Sequence, residues 1–288
     1  MDARGALTLE QTRYDVAERV ATITLDRPER LNAWTARMNT EYRHLLRRAS
    51  DDPGVRVVVV TGAGRGFCAG AESEDLAGHA ERGSYDSGAP ADLATPGYGV
   101  RPEFDAELAY HFGVPKPIIA AVNGPVAGIG FALSCYCDLR FAAEGAKFTT
   151  AHGKLGLPCA FGLAWLLPRL VGLSRAMDLI LSSRTFTATE ATSYGLVTET
   201  VAPEDLVPRV TAYARQLATT VSPASLAASK RQVYEAIHLT AAQSVRAAED
   251  LIGPMMAGHD YREGVSALRE KRTPRFEDLA TPESDRST

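Results

Sequence analysis

Val55–Thr61, VRVVVVT, is a nearly unbroken β-branched run that leads straight into the glycine-rich stretch GAGRGFCAG. A strand with no polar face must be covered on both sides, which requires a sheet with helices on both faces. A second such pairing follows. Ile118–Val122, IIAAV, leads into the Asn123-Gly-Pro turn, and Gly128-Ile-Gly then opens an apolar helix that runs to Cys137.

The remaining segments fit the same architecture. Residues 20–26, VATITLD, alternate apolar and polar side chains and predict a strand. Short strands are expected at 138–143, 147–149 and 196–201. Thr35–Ala49 has helical spacing, with Thr35 as N-cap. Further helices are expected at 103–112, 163–170, 174–182, 187–194 (closed by Gly195), 203–220, 223–239 and 241–256. Residues 78–102 are rich in Gly, Pro, Ser and Asp and are expected to form a long mobile loop, a type that is often functional. No internal repeat is visible. The expected organisation is an α/β core over residues 1–200, a helical region over 201–276 and a frayed polar tail over 277–288.

Composition limits the function classes. The 288 residues carry 31 Lys+Arg against 35 Asp+Glu, a net charge of −4, so no nucleic-acid surface is advertised. No apolar run reaches the 18 or so residues of a membrane helix, and the first residues lack the apolar segment of a signal peptide. A cytoplasmic location without membrane partners is expected. Cys68, Cys135, Cys137 and Cys159 include no C-x-x-C pair, and no two of the six histidines are spaced as a metal pair on one helix. Buried thiols and no metal are therefore expected.

Both glycine-rich turns follow buried strands, and ligands in α/β sheets collect at the carboxyl ends of strands. The second turn enters a helix, so free N–H groups near Ile129 lie at a positive helix end. One N–H from each turn would make an oxyanion site. Two purely structural turns would use the same glycines. There is no G-x-x-x-x-G-K-[ST], no G-x-G-x-x-G in either turn and no G-x-S-x-G. These absences disfavour a P-loop, a dinucleotide fold and an α/β-hydrolase.

At these turns the chain resembles the enoyl-CoA hydratase/isomerase family, the crotonase superfamily. The resemblance runs from about residue 15 to 276. It rests on Arg27-Pro-Glu-Arg-Leu-Asn-Ala, Thr61-Gly-Ala-Gly-Arg-Gly-Phe-Cys-Ala-Gly-Ala and Pro115-Lys-Pro-Ile-Ile-Ala-Ala-Val-Asn-Gly. Leu167-Pro-Arg-Leu-Val-Gly, Ala188 through Gly195-Leu-Val, and Glu263-Gly through Glu270-Lys-Arg follow in the family's order. The resemblance implies a crotonase (ClpP/crotonase-like) α/β fold of repeated ββα units. It also implies C-terminal helices that build homotrimers or dimers of trimers, and an acyl-CoA thioester substrate. Coenzyme A enters as part of that substrate, with no separate cofactor. The thioester oxygen would sit between the N–H groups of Ala71 and Ile129. Glu29, Arg30, Ala33 and Ala69 would line the CoA channel, and Leu268 and Lys271 would meet its nucleotide end. A solvated surface role is the competing reading for Lys271.

The chain departs from the family where acid–base chemistry is done. Hydratases of this family position a water between two glutamates, and those positions fall at Ala132 and His152. An alternative glutamate position falls at Ala160. None holds a carboxylate. His152, whose imidazole titrates near neutral pH, and Glu72, adjacent to the Ala71 donor, are the expected substitutes. A wall-filling histidine and a solvated acidic helix start are the competing readings. At the level of function, a non-catalytic acyl-CoA binder and a retro-Claisen or cyclising enzyme stand as alternatives.

Overall fold

The computed structural model describes residues 7–84, 104 and 106–279. Nine strands lie in two sheets among these residues. The larger sheet has the order β1-β2-β3-β4-β6-β9, from β1 (Thr12–Ala17), β2 (Val20–Leu25), β3 (Val57–Gly62), β4 (Ile118–Val122), β6 (Leu139–Ala143) and β9 (Glu199–Val201). β1 and β2 form an antiparallel hairpin, and every other pairing in this sheet is parallel. The smaller sheet has the order β5-β7-β8, from β5 (Val126–Ala127), β7 (Lys147–Thr149) and β8 (Phe186–Thr187).

A repeated unit is visible in this order. β4 and β5 lead into helix α3 (Gly128–Tyr136). β6 and β7 lead, through a 3-10 turn at His152–Leu155, into α4 (Leu163–Val171). In each unit the first strand joins the large sheet and the second joins the small one.

The β-branched run behaves as its composition demands. Val57, Val58, Val59 and Val60 are all buried, with alternate residues on opposite faces. Val58 and Val60 join the core against α1 (Ala36–Asp51). Val57 and Val59 meet Leu206, Val210, Ala214 and Ala218 of α7 (Leu206–Thr220), whose spacing of four puts one stripe on the sheet. The expected cap is present, with the Thr35 hydroxyl accepting from Met38 N–H at 3.0 Å.

The expected long loop begins later than its composition implied. Residues 78–82 are the last turns of α2 (Ser73–Arg82), closed by Gly83 at φ +64°. Residues 85–102 lie outside the described residues. The helix expected at 103–112 is, where described, a 3-10 turn at Ala109–Gly113. α5 (Leu173–Ser182) and α6 (Ala188–Ser193) match expectation. α8 (Pro223–Ala236), α9 (Ala241–Ala257) and α10 (His259–Glu270) follow α7. No helix among the described residues is long and apolar enough to cross a membrane.

Asp138 ties α8 to the sheet. Its carboxylate accepts from Ile118 N–H at 2.7 Å and from Tyr234 Oη at 2.8 Å, and Lys230 Nζ lies 2.8 Å away. The segment after α10 is anchored as well, against the expectation of fraying from residue 277. Arg56 Nη2 donates to Phe276 O at 2.6 Å and lies 2.7 Å from Asp278 Oδ1, and Glu277 N–H donates to Asp260 Oδ1 at 3.0 Å. The residues after 279 lie outside the described set.

Candidate active site

Two glycine-rich segments meet at the carboxyl ends of β3 and β4. Asn123 and Asn32 hold the first. Asn123 Nδ2 donates to Gly62 O and Gly64 O, both at 2.9 Å, and Asn32 Nδ2 donates to Ala63 O at 2.9 Å and Gly66 O at 2.7 Å. The glycines have a steric reason. A Cβ at Gly62 would stand 2.1 Å from Gly66 O, one at Gly124 2.1 Å from Arg65 O, and one at Gly130 2.4 Å from Cys68 O. None of these contacts is tolerable, so glycine is what lets the two segments touch.

Past residue 66 the first segment threads between two neighbours. On one side Cys68 bridges to Val126, and Ala127 N–H donates to Cys68 O at 3.0 Å. On the other side Trp34 N–H donates to Gly70 O at 2.7 Å, and Glu72 N–H donates to Trp34 O at 3.0 Å. Extended backbone alternates its amides, so the N–H of Ala71 points away from Trp34. Gly70 (φ +108°) and Gly128 (φ +51°) adjoin, since a Cβ on Gly128 would lie 3.9 Å from Gly70 Cα. Ala71 and Ile129 are the next residues on each side. Ile129 is the second residue of α3, where a helix leaves its amides without intrahelical acceptors. Neither amide has a protein acceptor among the described residues.

Arg140 closes the far end of α3. Its Nη1 donates to the carbonyls of Ser134, Cys135 and Cys137, the last at 2.6 Å, while Nε donates to Leu196 O at 2.7 Å. A buried cation there satisfies the C-terminal carbonyls and complements the helix dipole whose positive end is at Ile129. No sequence pattern marked Arg140 in advance.

His152 approaches from the small sheet. β5 and β7 pair in parallel with Ala127 opposite Thr149. Ile129 is two residues beyond the first partner and His152 three beyond the second, so both emerge on the same edge. The imidazole is 6 % exposed and lies 5.9 Å, ring to ring, from Phe161. Both ring nitrogens are buried without a hydrogen-bond partner among the described residues. Burial lowers its pKa from the ordinary histidine value, which favours the neutral ring. Phe161 O accepts from Tyr136 Oη at 3.0 Å, which fixes the residue-161 loop against the end of α3. Ala132 is fully buried one turn after Ile129, and Ala160 adjoins Phe161. No carboxylate stands at either position.

Glu72 directly precedes α2 and forms an ion pair, with Arg27 Nη1 2.8 Å from its Oε2. Burial pulls its pKa up, but the Arg27 hydrogen bond and charge, with the Ser73 amide, outweigh it, and the net shift is downward. The carboxylate is therefore held ionised. Arg27 Nη1 also donates to Ala33 O at 3.0 Å.

The residues expected along the channel divide into two groups. Glu29 and Arg30 are exposed on the 3-10 turn Pro28–Arg30, Ala33 is buried, and half-buried Ala69 donates its N–H to Leu31 O at 3.1 Å. Ala33 is tied through Arg27 to Glu72, and Ala69 lies two residues before Ala71. Leu268 lies in the last turn of α10 and Lys271 directly follows it. The chain beyond α10 is fixed to Arg56, which precedes β3, whereas Ala71 follows the other end of that strand. A six-residue strand spans about 20 Å. Leu268 is 80 % exposed.

Comparison with known proteins finds relatives over nearly the whole chain. Residues 15–279 match the family model described as enoyl-CoA hydratase/isomerase. The chain is 36 % identical over 261 residues to "1,2-epoxyphenylacetyl-CoA isomerase" of Escherichia coli, covering 91 % of this chain and 96 % of the relative. It is 37 % identical over 264 residues to "Probable enoyl-CoA hydratase" of Rhodobacter capsulatus, covering 92 % and 96 %. Among solved structures it superposes on enoyl-CoA hydratase from Bacillus anthracis with a TM-score of 0.81 at 28 % identity, covering 93 % of this chain and 99 % of the other. A probable enoyl-CoA hydratase/isomerase from Mycobacterium abscessus gives the same TM-score, 0.81, at 30 % identity, with 93 % and 99 % covered. The chain has the crotonase fold and belongs to the enoyl-CoA hydratase/isomerase family.

Proposed function

We propose that the chain binds an acyl-CoA thioester with its carbonyl oxygen between the N–H groups of Ala71 and Ile129. His152 then moves a proton on the enolate that these donors stabilise. The observation that carries the reading is the buried imidazole whose two nitrogens have no protein partner among the described residues, on the segment that follows β7 as α3 follows its paired strand β5. Buried polar atoms are nearly always paired, and a ligand would supply the missing partner.

One neutral base favours a 1,3-proton shift over hydration. In the shift, Nε2 or Nδ1 takes the α-proton and the C–H electron pair moves into the thioester. The imidazolium returns the proton to the γ-carbon, and nothing is consumed. Hydration needs a group to activate water and one to protonate carbon. With Ala132 and Ala160 at the other two positions, and Glu72 held ionised by Arg27, that pair is not supplied. Two preorganised N–H donors are worth about 3 kcal/mol each to such an oxyanion. The Escherichia coli relative is likewise named as an isomerase of a CoA thioester, though its substrate is an epoxide.

Glu29, Arg30, Ala33 and Ala69 would line the CoA channel, with Glu72 and Arg27 bracing its rim. Leu268 and Lys271 would reach CoA only in the site of another copy, which fits a homotrimeric assembly. Val245, Ile252 and Met256 on α9, with Val265 and Leu268 on α10, expose apolar surface for such an assembly.

The test compares two substrates, a β,γ-unsaturated acyl-CoA and crotonyl-CoA, with binding followed by calorimetry. Formation of conjugated enoyl absorbance from the first, faster than its loss from the second, is expected. Binding of both without turnover would replace the reading with that of an acyl-CoA binder.

A further inference from the structure

We infer that Ser183 is a positioning residue for His152, fastening the backbone on both sides of the imidazole to the end of α5. The inference rests on the reading of His152 as the proton carrier.

Ser183 follows α5 directly and is 1 % exposed. Its Oγ accepts from Gly153 N–H at 3.0 Å, lies 3.2 Å from Thr150 Oγ1 and donates to Ile180 O at 3.3 Å. Its carbonyl accepts from Thr149 Oγ1 at 3.0 Å, and that hydroxyl in turn accepts from Ala151 N–H at 3.1 Å. Thr150 Oγ1 also donates to Leu179 O at 3.1 Å. Residues 149, 150, 151 and 153 are thus all tied, directly or through one hydroxyl, to the last turn of α5. Only the His152 ring is left without a polar contact.

The backbone indicates that the hydroxyl is needed there. Ser183 sits at φ +45° and Ala151 at φ +62°, both in the left-handed region that favours glycine. Strain of this kind persists where the surroundings over-determine it, and it clusters at functional sites. Glycine at 183 would relax the backbone but leave Gly153 N–H without its acceptor. Gly153 is matched to this contact, since a Cβ there would stand 2.8 Å from Ser183 Oγ. A fixed ring is what a proton carrier needs, because misplacement by about 1 Å can cost a hundredfold in rate.

The experiment uses the full chain and the β,γ-unsaturated acyl-CoA above. Ser183→Gly removes the Oγ contacts to Gly153 and Thr150 while relieving strain, and Gly153→Ala disrupts the first of them from the other side. Both variants are expected to lower kcat about tenfold or more, with KM within about twofold and a thermal midpoint close to the parent's for Ser183→Gly. The acid limb of the kcat profile should move toward the ordinary histidine range as the loosened ring meets water. Labelled-histidine NMR of Ser183→Gly should show altered His152 ring resonances, a readout independent of turnover. The double variant with His152→Ala should be no slower than His152→Ala alone. If His152→Ala is inactive while Ser183→Gly and Gly153→Ala keep the parental kcat, acid limb and ring spectrum, the latch is refuted alone. If His152→Ala turns over normally, the reading of His152 falls and the inference falls with it.

Discussion

Arg27 Nη1 lies 2.8 Å from Glu72 Oε2 and 3.0 Å from Ala33 O, so one guanidinium links the two segments that form the rim of the site. The two side chains of the pair are 18 % and 12 % exposed, which shields the charges from full solvent screening. Glu72→Gln keeps the shape and removes the charge. The expected outcome is a several-fold rise in KM for acyl-CoA with kcat within about threefold, and a stability loss of about 1 kcal/mol. Steady-state kinetics and urea unfolding check it. A collapse of kcat at unchanged KM would make Glu72 a proton carrier.

The pH profile follows from His152. Its pKa is lowered by burial, and a general base must be unprotonated. kcat/KM should be flat through neutral pH and fall on an acid limb whose midpoint lies below the ordinary histidine value of about 6.5. A limb centred above that value would contradict a buried neutral imidazole.

His111 sets an acid limit on stability. It is fully buried, accepts from Tyr42 Oη at 2.7 Å through Nε2 and donates through Nδ1 to Leu108 O. Burial, against the pull of that carbonyl, and the charges of Lys230 and Arg43 hold its pKa down to about 3. The folded pKa is below the unfolded one, so between them the unfolded chain binds the extra proton. Stability from this group is whole above about pH 6.5 and is lost as pH falls toward 3, by about 1.4 kcal/mol per pH unit. The double variant His111→Phe with Tyr42→Phe should flatten that slope in urea titrations at several pH values. An unchanged slope would contradict the assignment.

Gly130 faces Cys68 with no room for a methyl group, since a Cβ would stand 2.4 Å from Cys68 O and 2.6 Å from Cys68 Cβ. Gly130→Ala should cost about 3 kcal/mol or prevent folding, as overpacking against backbone does. Cys68→Gly should not rescue it, because the carbonyl oxygen remains. Thermal unfolding of the single and double variants decides the matter.

All four cysteines are free thiols. Burial pushes the Cys68, Cys135 and Cys137 thiols up to about 12, whereas Cys159 is only half-buried. A thiol reagent should modify Cys159 alone in the native protein and all four in denaturant. Native labelling of Cys68 would show that the two glycine-rich segments separate readily.

Much of this fold was legible in the sequence because its signals are local. The β-branched run of β3, the Thr35 cap and the glycine turns each carry their physics in a few consecutive residues. β1 was missed because it lies at the sheet edge, with four of its six residues exposed, and holds its place by pairing with β2. β8 has only two residues and exists through β7. Asn32 and Asn123 stand out only once the carbonyls they hold, about 30 and 60 residues away, are brought near. The same is true of Arg140 against Leu196 and of Ser183 against Gly153. Their partners are set by the fold, and no spacing encodes them. Ile129 was marked by the turn that opens its helix, Ala71 and His152 came to attention through the family resemblance, and the burial of His152 and its lack of a partner came only from the structure.

The central claim is that His152 moves a proton at the carbon beside a thioester. The most direct measurement is exchange of the α-protons of butyryl-CoA with deuterium oxide, followed by proton NMR for the parent and His152→Ala. The account predicts exchange by the parent and a loss of about a hundredfold or more in the variant, with butyryl-CoA binding retained by calorimetry. Equal exchange by both proteins, or none by the parent despite binding, would contradict it.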